Sequence, residues 1–169
     1  MQGSDHIEIR MFDEHDSIAE LTLLLHRAYK RLADLNFHSV ASHQDESTTL
    51  QRISEGICYV ALLNRKLIGT ILYHAPDSTK NHEWYQQPFV AMIGQFAVEP
   101  HLQKTGLGSR LLRLTEELAR RDGAKEIALD TPEEFHELVS FYKARGYRKV
   151  SNAKWPTVNY RSVILSKQL

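Results

Sequence analysis

The sequence predicts one α/β domain in which a mixed, mostly antiparallel sheet carries helices on both faces. Three observations lead there. Short apolar runs bounded by turn residues recur at 57–63, 67–74, 90–98 and 127–130. Amphipathic stretches with apolar residues three and four apart lie around them, at 18–32 and 107–118, and these two periods separate strands from helices. The links then set strand direction. Asn64-Arg65-Lys66 alone joins the first two runs, which makes an antiparallel hairpin. A whole helix separates 90–98 from 127–130, which makes a βαβ unit with parallel partners. No linker, repeat or low-complexity tract divides the chain, so residues 1–169 form one domain.

The elements follow in order. Ile7, Ile9 and Met11 alternate with polar residues as in a half-buried edge strand. Asp16 or Ser17 can cap a helix whose stripe is Ile18, Leu21, Leu25, Ala28-Tyr29 and Leu32. Residues 34–46 are polar and irregular, and 47–55 read as a short helix ended by Gly56. The hairpin comes next, then a polar and aromatic loop at 75–88 with His82, Trp84 and Tyr85. Strand 90–98, a glycine-bearing loop and helix 106–122 form one unit, stopped by Asp122-Gly123. After strand 127–130, Thr131-Pro132-Glu133-Glu134 has the composition of a helix start, with Pro in the first turn. Phe135, Leu138, Val139 and Tyr142 continue at helical spacing to Gly146, and strands near 147–152 and 159–166 close the chain.

Composition narrows the function. The 21 basic and 21 acidic side chains cancel, so nothing global argues for nucleic acid or an anionic membrane. No apolar run approaches the ~18 residues of a membrane span, and the N-terminus is polar rather than a secretory leader. Cys58 is the single cysteine, inside an apolar run, where it reads as a small buried hydrophobe in a reducing compartment. The expected location is cytoplasmic. The nine histidines contain no H-E-x-x-H pair and there is no cysteine cluster, so no metal is expected.

The most informative segment is Gln103-Lys104-Thr105-Gly106-Leu107-Gly108, between a strand and a helix start. Amides in such a loop point outward without internal partners, and the helix dipole favours negative charge there, so a phosphorylated ligand is expected. A nucleotide P-loop, G-x-x-x-x-G-K-S/T, fails because Val98 and Gln103 stand at the glycine positions. A dinucleotide fingerprint, G-x-G-x-x-G, fits Gly106 and Gly108 but finds Leu111 third; Asp130 lies roughly where a ribose-binding acid belongs, yet the repeated βα units are lacking. The pattern Q/R-x-x-G-x-G/A is met in full by Gln103, Gly106 and Gly108.

This loop, the stretch 95–112 around it, and Ser140-Phe141-Tyr142-Lys143-Ala144-Arg145-Gly146-Tyr147 together resemble the GNAT N-acetyltransferase superfamily, whose order of elements matches nearly the whole chain. The resemblance implies a single GNAT-like domain with a splayed parallel strand pair. It implies acetyl-CoA as co-substrate and acetyl transfer to a primary amine by direct attack in a ternary complex. Loop amides from Gln103, Lys104, Thr105, Gly106, Leu107 and Gly108, with Ser109 just beyond, would wrap the pyrophosphate, and the Lys104 side chain could add positive charge. Backbone groups of Phe96, Ala97 and Val98 would receive the pantetheine arm and polarise the acetyl carbonyl, stabilising the oxyanion of the reaction. Tyr142 matches the tyrosine that protonates the departing thiolate; it also sits on an apolar stripe, where packing alone would place it.

Two departures stand out. Gln95 occupies a strand position where family members often carry a carboxylate, and an amide cannot act as a base. Asp130, Glu99, His101 and His136 are the other candidates. Phe135 stands where the family often has an asparagine that touches the coenzyme arm. Acceptor recognition is expected from Tyr29, Phe37, His38, Trp84, Tyr85, Trp155 and Tyr160, whose rings suit an amine. The acceptor is expected to be a small-molecule or peptide amine, and superfamily members often form homodimers through their C-terminal strands. The missing strand carboxylate leaves a non-catalytic acyl-CoA sensor as the alternative.

Overall fold

A computed structural model describes residues 6–77 and 79–169. The polar start of the chain, read above as no leader, lies mostly outside the described residues. The strands are β1 (Ile7–Met11), β2 (Ile57–Leu63), β3 (Lys66–His74), β4 (Val90–Val98), β5 (Glu126–Pro132), β6 (Arg148–Ala153) and β7 (Ser162–Gln168). The α-helices are α1 (Ile18–Asp34), α2 (Glu46–Ser54), α3 (Leu107–Arg121) and α4 (His136–Lys143), with single 3₁₀ turns at Val40–Ser42 and Pro100–Leu102. The sheet order is β1-β2-β3-β4-β5-β7-β6. Only β4 and β5 pair in parallel; every other neighbour is antiparallel. One parallel pair is not a doubly wound sheet, which removes the dinucleotide-binding architecture.

Period-two alternation in β2 sorts the two layers. Cys58, Val60 and Leu62 pack with Leu21 and Leu24 of α1 on one face. Ala61 joins Leu107, Leu111 and Leu112 of α3 and Tyr142 of α4 on the other. Both layers rest on fully buried leucines, each contributing about 1.5–3 kcal/mol by burial.

The helix start expected at 131–134 is not formed. Thr131 and Pro132 extend β5, opposite Val163 and Ser162 of β7. Proline is tolerated at the end of a strand that has lost its neighbour on the other side. Glu133 donates its amide to the Arg161 carbonyl and pairs with Lys149, so the acids anchor a turn, and α4 begins at His136. The last strand likewise begins at Ser162, later than its apolar pattern suggested.

The decisive feature is where β4 and β5 part. Their pairing covers only Val90–Met92 against Glu126–Ala128, although β4 runs to Val98 and β5 to Pro132. A bulge drives the separation. Leu72 opposes Gly94 and Thr70 opposes Ala97, so Gln95 and Phe96 together face one residue of β3. Gln95 takes a left-handed φ of 42°, rare for a side chain of its size. Beyond Met92, β4 has β3 on one side and no strand on the other.

Candidate active site

The V between β4 and β5 holds a cleft of about 580 Å³. Of the residues singled out in the sequence, Phe96, Ala97, Val98, Gln103, Lys104, Gly106, Gly108, Ser109 and Tyr142 all line it. Thr105 and Leu107 do not: the Thr105 hydroxyl donates to the Leu102 carbonyl, and the Leu107 side chain is core. Their amides nevertheless belong to the same turn.

That turn is shaped by two left-handed residues, Lys104 (φ 63°) and Gly106 (φ 93°). Gly106 must be glycine for its backbone, since a Cβ there would meet nothing within 4 Å. Gly108 is different: a Cβ would lie 3.3 Å from the Phe96 ring, so its smallness lets α3 close on β4. The Gln103 amide donates to Pro100 O at 3.3 Å and its side-chain amide to Val98 O at 3.2 Å, so Gln103 ties the loop to the end of β4. Among the described residues, none accepts a hydrogen bond from the amides of Lys104 to Ser109.

The helix ends make the same point. Ser17 caps α1 by accepting from the Glu20 amide, and Asp45 caps α2 by accepting from the Thr48 amide. Each of those helices carries an acid in its first turn. α3 has neither a side-chain cap nor a first-turn acid. Its positive end is left for an anion from outside the chain. Beside it, the Arg145 guanidinium lies 3.5 Å from the Phe141 ring centroid and donates to Ser109 Oγ at 3.0 Å. Arg145 also lines the cleft, and it stands inside the same sequence motif as Tyr142.

Tyr142 is buried among Phe141, Phe96 and Tyr147, with ring centroids 5.2, 6.5 and 5.7 Å away. Its hydroxyl makes no hydrogen bond to any described residue, and burial raises its pKa well above the usual phenol value. It therefore stays protonated at neutral pH. Across the cleft, Tyr29 of α1 donates to the Phe96 carbonyl at 3.1 Å, clamping the bulge.

Asp130, at the open end of β5, is the carboxylate in the cleft with the most catalytic setting. Tyr85 donates to its Oδ1 at 2.8 Å and the Trp155 indole to Oδ2 at 2.9 Å. Burial raises its pKa, and those two hydrogen bonds oppose the rise without cancelling it. A carboxylate so placed accepts protons more readily than one in water. The other base candidates are elsewhere. Glu99 is locked by Arg27 at 2.9 Å on each oxygen, and His101 and His136 are exposed outside the cleft. Gln95 is buried, and its Oε1 accepts from Gln44 Nε2 at 2.7 Å. Burial pushes the Cys58 thiol up to about 11, which leaves no thiolate at neutral pH.

The aromatic residues named for the acceptor divide. Tyr29 and Tyr160 line the cleft, while Tyr85 and Trp155 hold Asp130. Phe37 packs against Phe135 and Tyr160, both at 6.0 Å, and the His38 amide donates to Asn159. Phe37 and His38 thus tie the segment after α1 to Phe135, Asn159 and Tyr160, and neither lines the cleft. Trp84 packs with Tyr85 and Trp155 behind the site. Among the described residues, no group of His, Cys, Asp and Glu is placed to hold a metal, and no helix is long and apolar enough to cross a membrane.

Comparison with known proteins agrees with this geometry. Residues 20–147 match the model of the acetyltransferase (GNAT) family. The S-(2-succino)cysteine N-acetyltransferase of Bacillus subtilis (strain 168) is 34% identical over 137 residues, covering 78% of this chain and 77% of that protein. Among solved structures, an acetyltransferase from Streptococcus agalactiae 2603 superposes with a TM-score of 0.74 at 22% identity, each chain covered in full. A GNAT family acetyltransferase from Elizabethkingia anophelis with acetyl-CoA bound gives 0.64 at 18% identity, covering 98% of this chain and 100% of that one.

Proposed function

Because the chain belongs to the acetyltransferase (GNAT) family and is an acetyl-CoA-dependent N-acetyltransferase, we propose the division of labour among its residues and the class of its acceptor. The observation that carries the reading is the run of unpartnered amides from Lys104 to Ser109 at the uncapped start of α3, opening onto the cleft where β4 leaves β5. That cradle fits a diphosphate, and the unpaired side of β4 beyond Met92 fits an extended amide-bearing arm.

Acetyl-CoA supplies an activated acyl group as a thioester. The amides of Lys104 to Ser109 hold its diphosphate, with Arg145 adding charge. The free backbone of β4 at Phe96–Val98 aligns the arm and places an N–H donor where negative charge grows on the acyl oxygen. Asp130 takes the proton that the attacking amine must lose, its raised pKa suiting that task. Tyr142, kept protonated by burial, donates to the departing sulfur and disperses its charge. Asp130 thereby supplies the carboxylate missing at Gln95, and the non-catalytic sensor loses its motive.

The acceptor is a small-molecule primary amine. Phe135 and Tyr160 line a cleft of about 580 Å³ that also has to hold the coenzyme arm, which suits a compact molecule better than a folded chain end. S-(2-succino)cysteine, the compound named for the Bacillus subtilis relative, is the first acceptor to try. We place the enzyme in the cytoplasm, in keeping with its single buried cysteine, and a homodimer would use the open edge of β6. The test is coenzyme A release from acetyl-CoA on adding a panel of small primary amines. Amine-dependent release is expected, lowered in Tyr142→Phe while acetyl-CoA affinity holds. Tight acetyl-CoA binding with no release on any amine would overturn the reading.

A further inference from the structure

Four arginines of the described chain are half-buried: Arg10, Arg27, Arg52 and Arg145. Arg10 pairs with Asp16 at 2.7 Å and Arg27 with Glu99 at 2.9 Å. Arg145 stacks on Phe141 beside the loop of free amides, where an anion is expected. Arg52 is left. Among the described residues it forms no ion pair, and its one hydrogen-bond partner is the neutral Gln44 Oε1, at 2.7 Å. A guanidinium carries five N–H donors, and charged side chains are seldom withdrawn from water without a counter-ion.

Its position is fixed. Gln44 is buried and fully engaged, with Nε2 donating to Thr49 Oγ1 at 2.8 Å and to Gln95 Oε1 at 2.7 Å. Thr22 donates to Thr49 Oγ1 at 2.7 Å, so the chain of bonds runs back to α1. This network holds Arg52 at the end of α2, beside the bulge of β4. The carboxylates whose charge reaches Arg52 are Glu55 and Asp130. Asp130 lines the cleft; Arg52 lies just outside the lining, joined through Gln44 to Gln95, the neighbour of the lining residue Phe96. Glu55, its near neighbour in sequence, makes no ion pair with it. Burial alone disfavours its charge. A held, half-desolvated cation without a partner contributes little to folding and much to recognition.

We propose that Arg52 is a specificity residue that receives a carboxylate of the acceptor, so that the substrates are small amines bearing at least one carboxylate, as in amino-acid derivatives. The inference rests on the acetyl-transfer reading. It makes the site bipolar: Arg145 and the free amides face the anion of the coenzyme, and Arg52, just outside the cleft lining, meets the carboxylate of an acceptor that reaches past the β4 bulge, with Asp130 left to the amine.

The test is a cycle of two proteins and two acceptors, read as initial rates at saturating acetyl-CoA. The acceptors are S-(2-succino)cysteine and its analogue with all three carboxyls converted to amides; the proteins are wild type and Arg52→Gln. Amidation should raise KM in wild type by roughly ten- to a hundredfold, the weight of one charge-assisted pair, and change it little in Arg52→Gln. Arg52→Lys should fall between, and kcat should move much less than KM. Unchanged acetyl-CoA affinity and melting temperature in both variants confirm that each is folded. An equal amidation penalty in both proteins overturns the proposal. So does wild-type turnover of tyramine or spermidine in preference to S-(2-succino)cysteine, which leaves acetyl transfer standing. No coenzyme A release with any of these amines removes the proposed acceptor class, and the role of Arg52 with it.

Discussion

At the glycine loop the cleft is walled by main chain; at Asp130 it is walled by side chains. The loop end consists of amides aimed by Lys104 and Gly106 in left-handed backbone, at the bare start of α3. The other end is lined by Tyr29 on α1, Asp130 on β5 and Tyr160 before β7, with Tyr85 and Trp155 holding Asp130 from behind. A main-chain site tolerates many side chains but few changes of backbone, and suits a ligand whose chemistry never varies. A side-chain site can be altered one residue at a time, which suits an acceptor that differs from one enzyme to the next.

This contrast can be broken by substitutions that should act at one end only. The largest effect is expected for Asp130→Asn, which keeps the shape and removes the proposed base. Turnover should fall about 10²–10⁴-fold with acetyl-CoA affinity unchanged. The pH profile gives the sign. Asp130 acts when ionised, so the wild-type rate is lost as pH falls through its pKa. Burial raises that pKa, so the acidic limb should lie above the ordinary carboxylate range near ~4, and Asp130→Asn should abolish it.

Next is Gly106→Val. No atom lies within 4 Å of the new Cβ, so the damage is to the backbone alone. A left-handed β-branched residue costs about 1–2 kcal/mol or more, and the reoriented amides should weaken acetyl-CoA binding roughly a hundredfold. Calorimetry would read this directly. Retained affinity would mean that side chains, not amides, hold the diphosphate.

Tyr142→Phe comes third. Loss of the proton donor should lower kcat about ten- to a hundredfold, with little change in the apolar packing around the ring. An unchanged kcat would return Tyr142 to the core. The smallest effect is expected for Tyr29→Phe, which frees the Phe96 carbonyl at the bulge. The cost should be about 0.5–1.5 kcal/mol, or a melting temperature lower by about 2–4 °C.

The same contrast explains how much could be read from the chain. Gly106, Gly108 and Tyr142 announce themselves because loop, helix start and helix end are local in sequence. The order of strands and helices is legible for the same reason, down to a cap of α1 at Asp16 or Ser17, of which the fold uses Ser17. The acceptor end is not. Gln44 meets Gln95 across 51 residues, Tyr85 meets Asp130 across 45, and Arg27 removes Glu99 from contention across 72. In the sequence Asp130 is one of several candidate acids, and only its pairing with Tyr85 and Trp155 sets it apart. Arg52 gave no sign, because what marks it is the lack of a carboxylate partner in space. The helix start at 131–134 misled for a related reason: Pro132 and its acids fit a first turn locally, and pairing with β7 overrides them.

The most direct test follows the backbone amides of ¹⁵N-labelled protein while coenzyme A is titrated in. The account predicts that the largest shifts, and new protection from hydrogen exchange, fall on Lys104 to Ser109. Saturable binding that leaves those six amides unmoved would contradict it.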